Sequence, residues 1–266
     1  MLSSDSVIIM LVKGKVVLVS GGASGIGLAC IKELLQNEVL GIALVDINEQ
    51  RGISITEDLN NKYGQGKVIY IKANLINKNE YEDAFKKTVQ CFKQLDIFFN
   101  NVGLFEEHDY ENCLKINLLG CIHGLKLAID EYLPKYKSES TAIIINTSSV
   151  AGLMPFAGIE IYSTTKFALI GLTRNFGCDY HYKRTGVKVM ALCPGATDTA
   201  IFNQLPTRMV YDDNLENLLK YTVDMQKPEE LAKCFIRVIE KEHNGSAWFI
   251  NEGKEIEVEY PKLVSF

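Results

Sequence analysis

The sequence predicts an α/β fold built on one parallel sheet, and three observations carry that reading. Short apolar runs recur along the chain with helical-period segments between them, the alternation that builds strand–helix–strand units. The runs are continuously apolar, as expected of strands covered on both faces. No internal repeat, low-complexity tract or linker interrupts the pattern, so the 266 residues read as one domain, long enough to bury a large core.

Residues 1–12 read as an N-terminal extension and residues 13–266 as the domain. The first strand is Val16-Val17-Leu18-Val19. It runs into a glycine turn, Gly21-x-x-x-Gly25-x-Gly27. A helix follows, with Ile26, Ala29, Cys30 and Leu34 at helical spacing. Strand, glycine turn and helix set backbone N–H groups and a helix N-terminus against a phosphate. A plain tight turn needing glycine at positive φ is the competing reading. The three glycines between a strand and a helix favour pyrophosphate binding and a Rossmann-type, doubly wound sheet flanked by helices.

The second strand, residues 41–45, ends at Asp46. An acid about 20 residues beyond the glycines can accept hydrogen bonds from an adenosine ribose and would repel a 2′-phosphate. Ser24 sits in the turn where a basic residue would favour that phosphate, and Arg51 falls on the next helix. This points to NAD over NADP. Asp46 could instead cap the helix that follows it.

Further strands are expected at 67–71, 96–99, 141–146, 187–192 and 246–250, with helices at 78–93, 109–136 and 228–240 and another carrying Tyr162 and Lys166. In the helix at 109–136, Asn117 interrupts the apolar face of Leu114, Leu118, Cys121 and Leu125. A buried amide needs partners, so Asn117 is either a satisfied core residue or the holder of a water or backbone bend. Thr147-Ser148-Ser149 follows the strand at 141–146, at the carboxyl edge where parallel sheets bind ligands. The same hydroxyls could simply cap a chain reversal. Residues 199–226 read as irregular and rich in large apolar groups: Phe202, Leu205, Met209, Tyr211, Leu218 and Tyr221.

Bulk properties exclude several classes. A net charge of −5 offers no footprint for nucleic acid or an anionic membrane. The apolar run Val7-Ile8-Ile9-Met10-Leu11-Val12 is too short to span a bilayer and lacks the basic flank of a signal peptide. Seven cysteines with no Cys-x-x-Cys pair fit reduced thiols in a cytoplasmic protein. Four scattered histidines offer no metal set, and no metal is expected.

The most informative stretch is Tyr162-Ser163-Thr164-Thr165-Lys166. On a helix it places a phenol and an ammonium on one face, a turn apart. An unperturbed phenol has a pKa of about 10, and a neighbouring positive charge favours the phenolate. Taken alone, such a pair is also what a solvated helix face presents.

With these residues in order, the chain resembles the short-chain dehydrogenase/reductase family over about residues 13–250. The matching motifs are Gly21-x-x-x-Gly25-x-Gly27, Asn100-Asn101-Val102-Gly103, Asn117, Ser149, Tyr162-x-x-x-Lys166 and Pro194-Gly195. Two branches look most similar. Residues 144–155 and Leu192-Cys193-Pro194-Gly195 resemble the NAD-dependent 15-hydroxyprostaglandin dehydrogenases. Asn244-Gly245-Ser246-Ala247-Trp248 resembles the insect-type alcohol dehydrogenases.

The resemblance implies a catalytic set of Asn117, Ser149, Tyr162 and Lys166. Tyr162 would be the general acid/base and Lys166 would tune it and hold the nicotinamide ribose. Ser149, better spaced than Ser148, would hold the substrate oxygen, and Asn117 would anchor a relay water. It implies NAD contacts from Gly21, Ser24, Gly25, Ile26, Gly27, Asp46, Asn74, Leu75, Asn101, Gly103, Tyr162, Lys166, Pro194, Gly195, Thr197 and Thr199. Residues 199–226 would be a substrate lid.

The departures are Val102 for alanine beside the cofactor, Asn74 for aspartate near the adenine, and Ile159, followed by Glu160, where the prostaglandin branch has glutamine. Val102 would crowd the site slightly and Asn74 would weaken cofactor binding without abolishing it, while the apolar Ile159 argues against prostaglandin itself and the apolar lid favours a lipophilic alcohol or ketone. The resemblance also implies a homodimer or homotetramer packed through the helices near 109–136 and 160–181. Two alternatives stand beside this reading: an NADP-dependent carbonyl reductase, and a dinucleotide-binding scaffold without catalysis.

Overall fold

The computed structural model describes residues 11–203, 208–209 and 225–261. One sheet of eight strands organises them, in the order β3-β2-β1-β4-β5-β6-β7-β8. The strands are β1 (Val16–Ser20), β2 (Gly41–Asp46), β3 (Val68–Lys72), β4 (Ile97–Asn100), β5 (Ala142–Thr147), β6 (Val187–Pro194), β7 (Ala247–Asn251) and β8 (Lys254–Glu257). The first seven run parallel. β8 returns antiparallel to β7, an addition to the all-parallel sheet predicted. The strand order reverses between β1 and β4, which opens a crevice at the carboxyl edge of the sheet.

The helices are α1 (Gly25–Gln36), α2 (Glu49–Tyr63), α3 (Lys78–Phe92), α4 (Tyr110–Leu114), α5 (Cys121–Leu127), α6 (Leu133–Tyr136), α7 (Glu160–Phe176), α8 (Asp179–Thr185), α9 (Ala200–Asn203) and α10 (Pro228–Lys241). The predicted helix at 109–136 is continuous, but π-helical stretches at Lys115–Gly120 and Ala128–Tyr132 separate α4, α5 and α6. The predicted helix at 160–181 stops at Phe176. Gly177 there lies so close to Gly245 that an added Cβ would meet its Cα at 2.4 Å.

Alternate residues of each strand feed two cores, as a period of two requires. Val17 and Val19 face α1 and α10, and the Phe99 and Phe235 rings meet there at 4.6 Å. Val16 and Leu18 face the other layer, where Tyr81, Phe85, Phe98 and Tyr132 pack edge to face or tilted. Val12, the last residue of the expected extension, is fully buried in the first core, so the domain begins before residue 13. Residues 1–10 lie outside the described residues, as do Leu205, Tyr211, Leu218 and Tyr221 of the expected lid. The described part of that segment is not all irregular, since it opens with α9. Among the described residues no helix is long and apolar enough to cross a membrane.

The packing sorts the seven free cysteines into two groups. Cys91 and Cys178 are exposed and the other five are buried. Burial pushes the Cys193 thiol up to about 12, those of Cys113, Cys121 and Cys234 up to about 11, and that of Cys30 upward. An aromatic disulfide reagent at neutral pH is therefore expected to titrate two thiols promptly and five more only on unfolding. Three or more prompt thiols would contradict this packing.

Candidate active site

The carboxyl ends of β1, β2, β4, β5 and β6 converge on a cleft of about 420 Å³. Its two halves differ chemically. One is lined by the glycine turn (Gly21, Ser24, Gly25, Ile26), Asp46, Ile47, Asn101 and Gly103, with Pro194, Gly195, Thr197 and Thr199 opposite. The other is walled by Phe105, Phe156, Ile159, Ile201 and Phe202. Ser149, Tyr162 and Lys166 also line the cleft.

The glycine turn fits a phosphate. Gly21 and Gly25 have φ of +66° and +50°, the region glycine tolerates without a Cβ clash. Ser24, at the N-cap of α1, makes no side-chain cap, and the first turn holds no acid. The first N–H groups of α1 thus lack the usual side-chain acceptor at the mouth of the cleft, which suits an anion. Gly27 does not line the cleft. A Cβ there would stand 2.3 Å from the Gly21 carbonyl, so this glycine lets α1 close on its own turn.

Asp46 divides its carboxylate. One oxygen accepts from Ala23 N at 3.1 Å, in the glycine turn, and the other from Asn48 N at 3.0 Å. The cap of α2 is Asn48, which accepts from Arg51 N, so the helix-capping reading of Asp46 falls away. Arg51 lies exposed on α2 and Lys166 is the one basic residue among the described lining of the cleft.

Asn101 lines the cleft, with its side chain engaged by protein. Its amide nitrogen donates to the Ser20 and Gly21 carbonyls at 3.3 Å, and its oxygen accepts from Thr147 Oγ1 at 3.1 Å. Thr197 is buried, and its hydroxyl donates to the Gly195 carbonyl and accepts from Gln226. Asn74 and Leu75 stand away from the cleft. Asn74 is exposed and its side-chain oxygen accepts from Ile76 N, while Leu75 is buried in the second core.

The pair on α7 is brought together as predicted. Lys166 Nζ lies 5.4 Å from the centre of the Tyr162 ring. Lys166 is 3 % exposed and donates to the Thr147 carbonyl at 2.9 Å. An ammonium carries three donors, so one such bond leaves capacity directed at the cleft. Ser148 donates its hydroxyl to the Lys166 carbonyl at 2.8 Å and is committed there. Ser149 accepts from Ala151 N at 3.1 Å, and that contact does not consume its proton. The hydroxyl able to meet a substrate oxygen is therefore that of Ser149.

Asn117 is fully buried behind the cleft, in the first π-helical stretch. It grips one residue at both ends: Leu104 N donates to its oxygen at 2.8 Å, and its nitrogen donates to the Leu104 carbonyl at 2.8 Å. The same nitrogen reaches Thr165 Oγ1 at 3.3 Å, and Thr165 donates to the Tyr162 carbonyl at 2.7 Å. The two readings of Asn117 merge: it is a satisfied amide at a backbone irregularity. π-Helical turns of this kind gather at functional sites.

Sequence reasoning missed Glu107. This carboxylate is 4 % exposed and accepts from Ile161 N and Tyr162 N at 3.0 and 2.8 Å. A single acid in a loop has no spacing that would reveal it. Burial raises its pKa, against the lowering effect of the two amides.

Comparison with known proteins agrees with the geometry. The family model for short chain dehydrogenase matches residues 15–209. The 15-hydroxyprostaglandin dehydrogenase [NAD(+)] of Macaca fascicularis is 35 % identical over 254 residues, covering 93 % of this chain and 94 % of the relative. Alcohol dehydrogenase 1 of Ceratitis cosyra is 30 % identical over 246 residues, covering 92 % and 94 %. A solved short chain dehydrogenase from Burkholderia cenocepacia J2315, in complex with NADP, shares the fold with a TM-score of 0.74 at 24 % identity, over 90 % of this chain and 97 % of that one.

Replacing Asn117 by alanine strands the Leu104 N–H and carbonyl in a buried setting. The Asn117→Ala protein is expected to lose about 1–3 kcal/mol of stability in denaturant unfolding. A loss below about 0.5 kcal/mol would show that the clamp is dispensable.

Proposed function

The chain belongs to the short chain dehydrogenase family of oxidoreductases, and on that footing we propose that it is an NAD-dependent dehydrogenase of lipophilic secondary alcohols, or the reductase of the matching ketones. The observation that carries this reading is the close pair of Tyr162 and Lys166 in a cleft that Ser149, the glycine turn and an apolar wall also line.

A nicotinamide dinucleotide, when bound, supplies the hydride acceptor. The turn from Gly21 to Ile26 and the open start of α1 would hold its phosphates, and Asp46 its adenosine ribose. Asp46 and the absence of a basic partner for a 2′-phosphate, among the described lining residues, favour NAD over NADP. The relative named for NAD(+) supports the same preference.

The protein's own part is positioning and proton transfer. Ser149 would hold the substrate oxygen by its unused proton. Tyr162 would take the hydroxyl proton in oxidation and return it in reduction, with Lys166 Nζ 5.4 Å from the centre of its ring. The aromatic and aliphatic wall from Phe105 to Phe202, with Ile159 5 % exposed within it, favours an apolar substituent on the carbinol carbon. The segment 199–226, of which Ile201, Phe202 and Met209 join this wall, would act as its lid.

A cytoplasmic homodimer or homotetramer belongs to the same proposal. Leu119 and Phe167 are 43 % and 45 % exposed on the two helical segments expected to pair. Sedimentation is expected to find a dimer or tetramer, and a monomer at micromolar concentration would end that part of the reading.

Lipophilic secondary alcohols with NAD are expected to produce reduced-nicotinamide absorbance, more efficiently than with NADP. In Tyr162→Phe the turnover should fall about 100- to 10,000-fold while NADH binding persists. Turnover undiminished in that variant would remove Tyr162 from its role, and a preference for NADP would overturn the reading of Asp46.

A further inference from the structure

We propose that Glu107 is a positioning residue for Tyr162, acting by capping the helix that carries it. The inference rests on the proposed role of Tyr162. α7 starts without a cap of its own: Ile159, at the N-cap, offers no side-chain acceptor. Glu160, the acid of its first turn, bends back to accept from Gly158 N at 2.9 Å. The amides of Ile161 and Tyr162 are instead met from another part of the chain, 54 and 55 residues away, by the two oxygens of Glu107. A carboxylate completing a helix N-terminus satisfies orphan donors and complements the helix dipole.

The loop bearing Glu107 is itself held on three sides. Asn117 clamps Leu104. The Phe105 ring rests 5.4 Å from the Tyr162 ring. Glu107 N donates to the Arg208 carbonyl at 3.2 Å, and the Arg208 guanidinium donates to the Phe105 carbonyl at 3.1 Å. Glu107 is therefore a fixed point against which the first turn of α7 is seated. Lys166 has its own anchor at Thr147, one turn deeper. Without the cap the first turn frays, and Tyr162 shifts relative to a lysine that stays in place.

The test compares Glu107→Gln and Glu107→Asp with the wild-type enzyme. Glutamine keeps one acceptor and turns an NH₂ toward the second amide. Glu107→Gln is expected to lower kcat about 30- to 100-fold, with KM for the alcohol and NADH affinity within about twofold of wild type. Amide hydrogen exchange across residues 159–164 should accelerate in the same variant. Glu107→Asp keeps both acceptors on a shorter arm and should recover part of kcat. A Glu107→Gln enzyme within about twofold of wild-type kcat overturns the proposal, as does a loss of NADH affinity as large as the loss of kcat. If Glu107→Gln yields no folded protein, Glu107→Asp carries the test, and an unchanged kcat with unchanged exchange overturns the proposal. A wild-type protein that turns over no alcohol would instead defeat the role of Tyr162, and the exchange comparison would still decide the cap: unchanged protection overturns it.

Discussion

A buried ammonium sets the terms for this site. Lys166 is almost without solvent contact, and a charge in such a place is unfavourable by several kcal/mol unless the protein meets it with acceptors. The Thr147 carbonyl does so, and because Thr147 ends β5, one hydrogen bond ties α7 to the carboxyl edge of the sheet. Ser148 ties the same two elements in the opposite sense by donating to the Lys166 carbonyl. Gly152 makes the approach possible, since a Cβ there would stand 2.7 Å from that carbonyl carbon and oxygen. The lysine side chain and the lysine backbone are thus both used, and neither can move without the other.

Around this pair the polar side chains form a layer with defined partners. Asn100 donates to Asn146 and to the Cys121 carbonyl, and Asn146 donates to Thr173. Asn101 binds the glycine turn to β5, and Asn117 binds the loop after β4 to α7 through Thr165. A satisfied network of this kind costs little to bury and specifies one geometry, whereas a half-satisfied one would do neither. The apolar wall lines the other part of the cleft, and Phe105 within it is held by the Arg208 guanidinium at its carbonyl and by the Tyr162 ring.

Much of this was legible in the chain. Strands covered on both faces leave uninterrupted apolar runs, and the six expected after β1 and the helices at 78–93 and 228–240 fall within a residue or two of the observed bounds. β8 escaped because Lys-Glu-Ile-Glu on a half-exposed edge carries almost no apolar signal. α8 escaped because Asp-Tyr-His-Tyr-Lys-Arg-Thr is a short polar helix. The catalytic candidates were readable from the order and spacing of several motifs through the family resemblance, since a pair four apart on a helix is by itself also what a solvated face presents. Gly27 was placed on the cofactor, yet its requirement is steric and lies behind the turn. Asn74 was placed by analogy with an aspartate, and its own backbone has taken its oxygen. Glu107 acts across more than fifty residues, a separation at which sequence carries no local pattern.

The π-helical stretch at Lys115–Gly120 has a consequence for how this chain can change length. An α-helix turns by about 100° per residue, so one residue removed there would swing everything on one side of it around the axis. Asn117 could stay on the buried stripe only if Leu125 and Ile129, both fully buried downstream, left it. An insertion would do the same in the other direction. The surface loop at Gly64–Gly66 differs, with no neighbour nearer than 3.7 Å to an atom added at either glycine. Descendants of this chain can lengthen or shorten there, while the middle of its longest helical run is frozen in register.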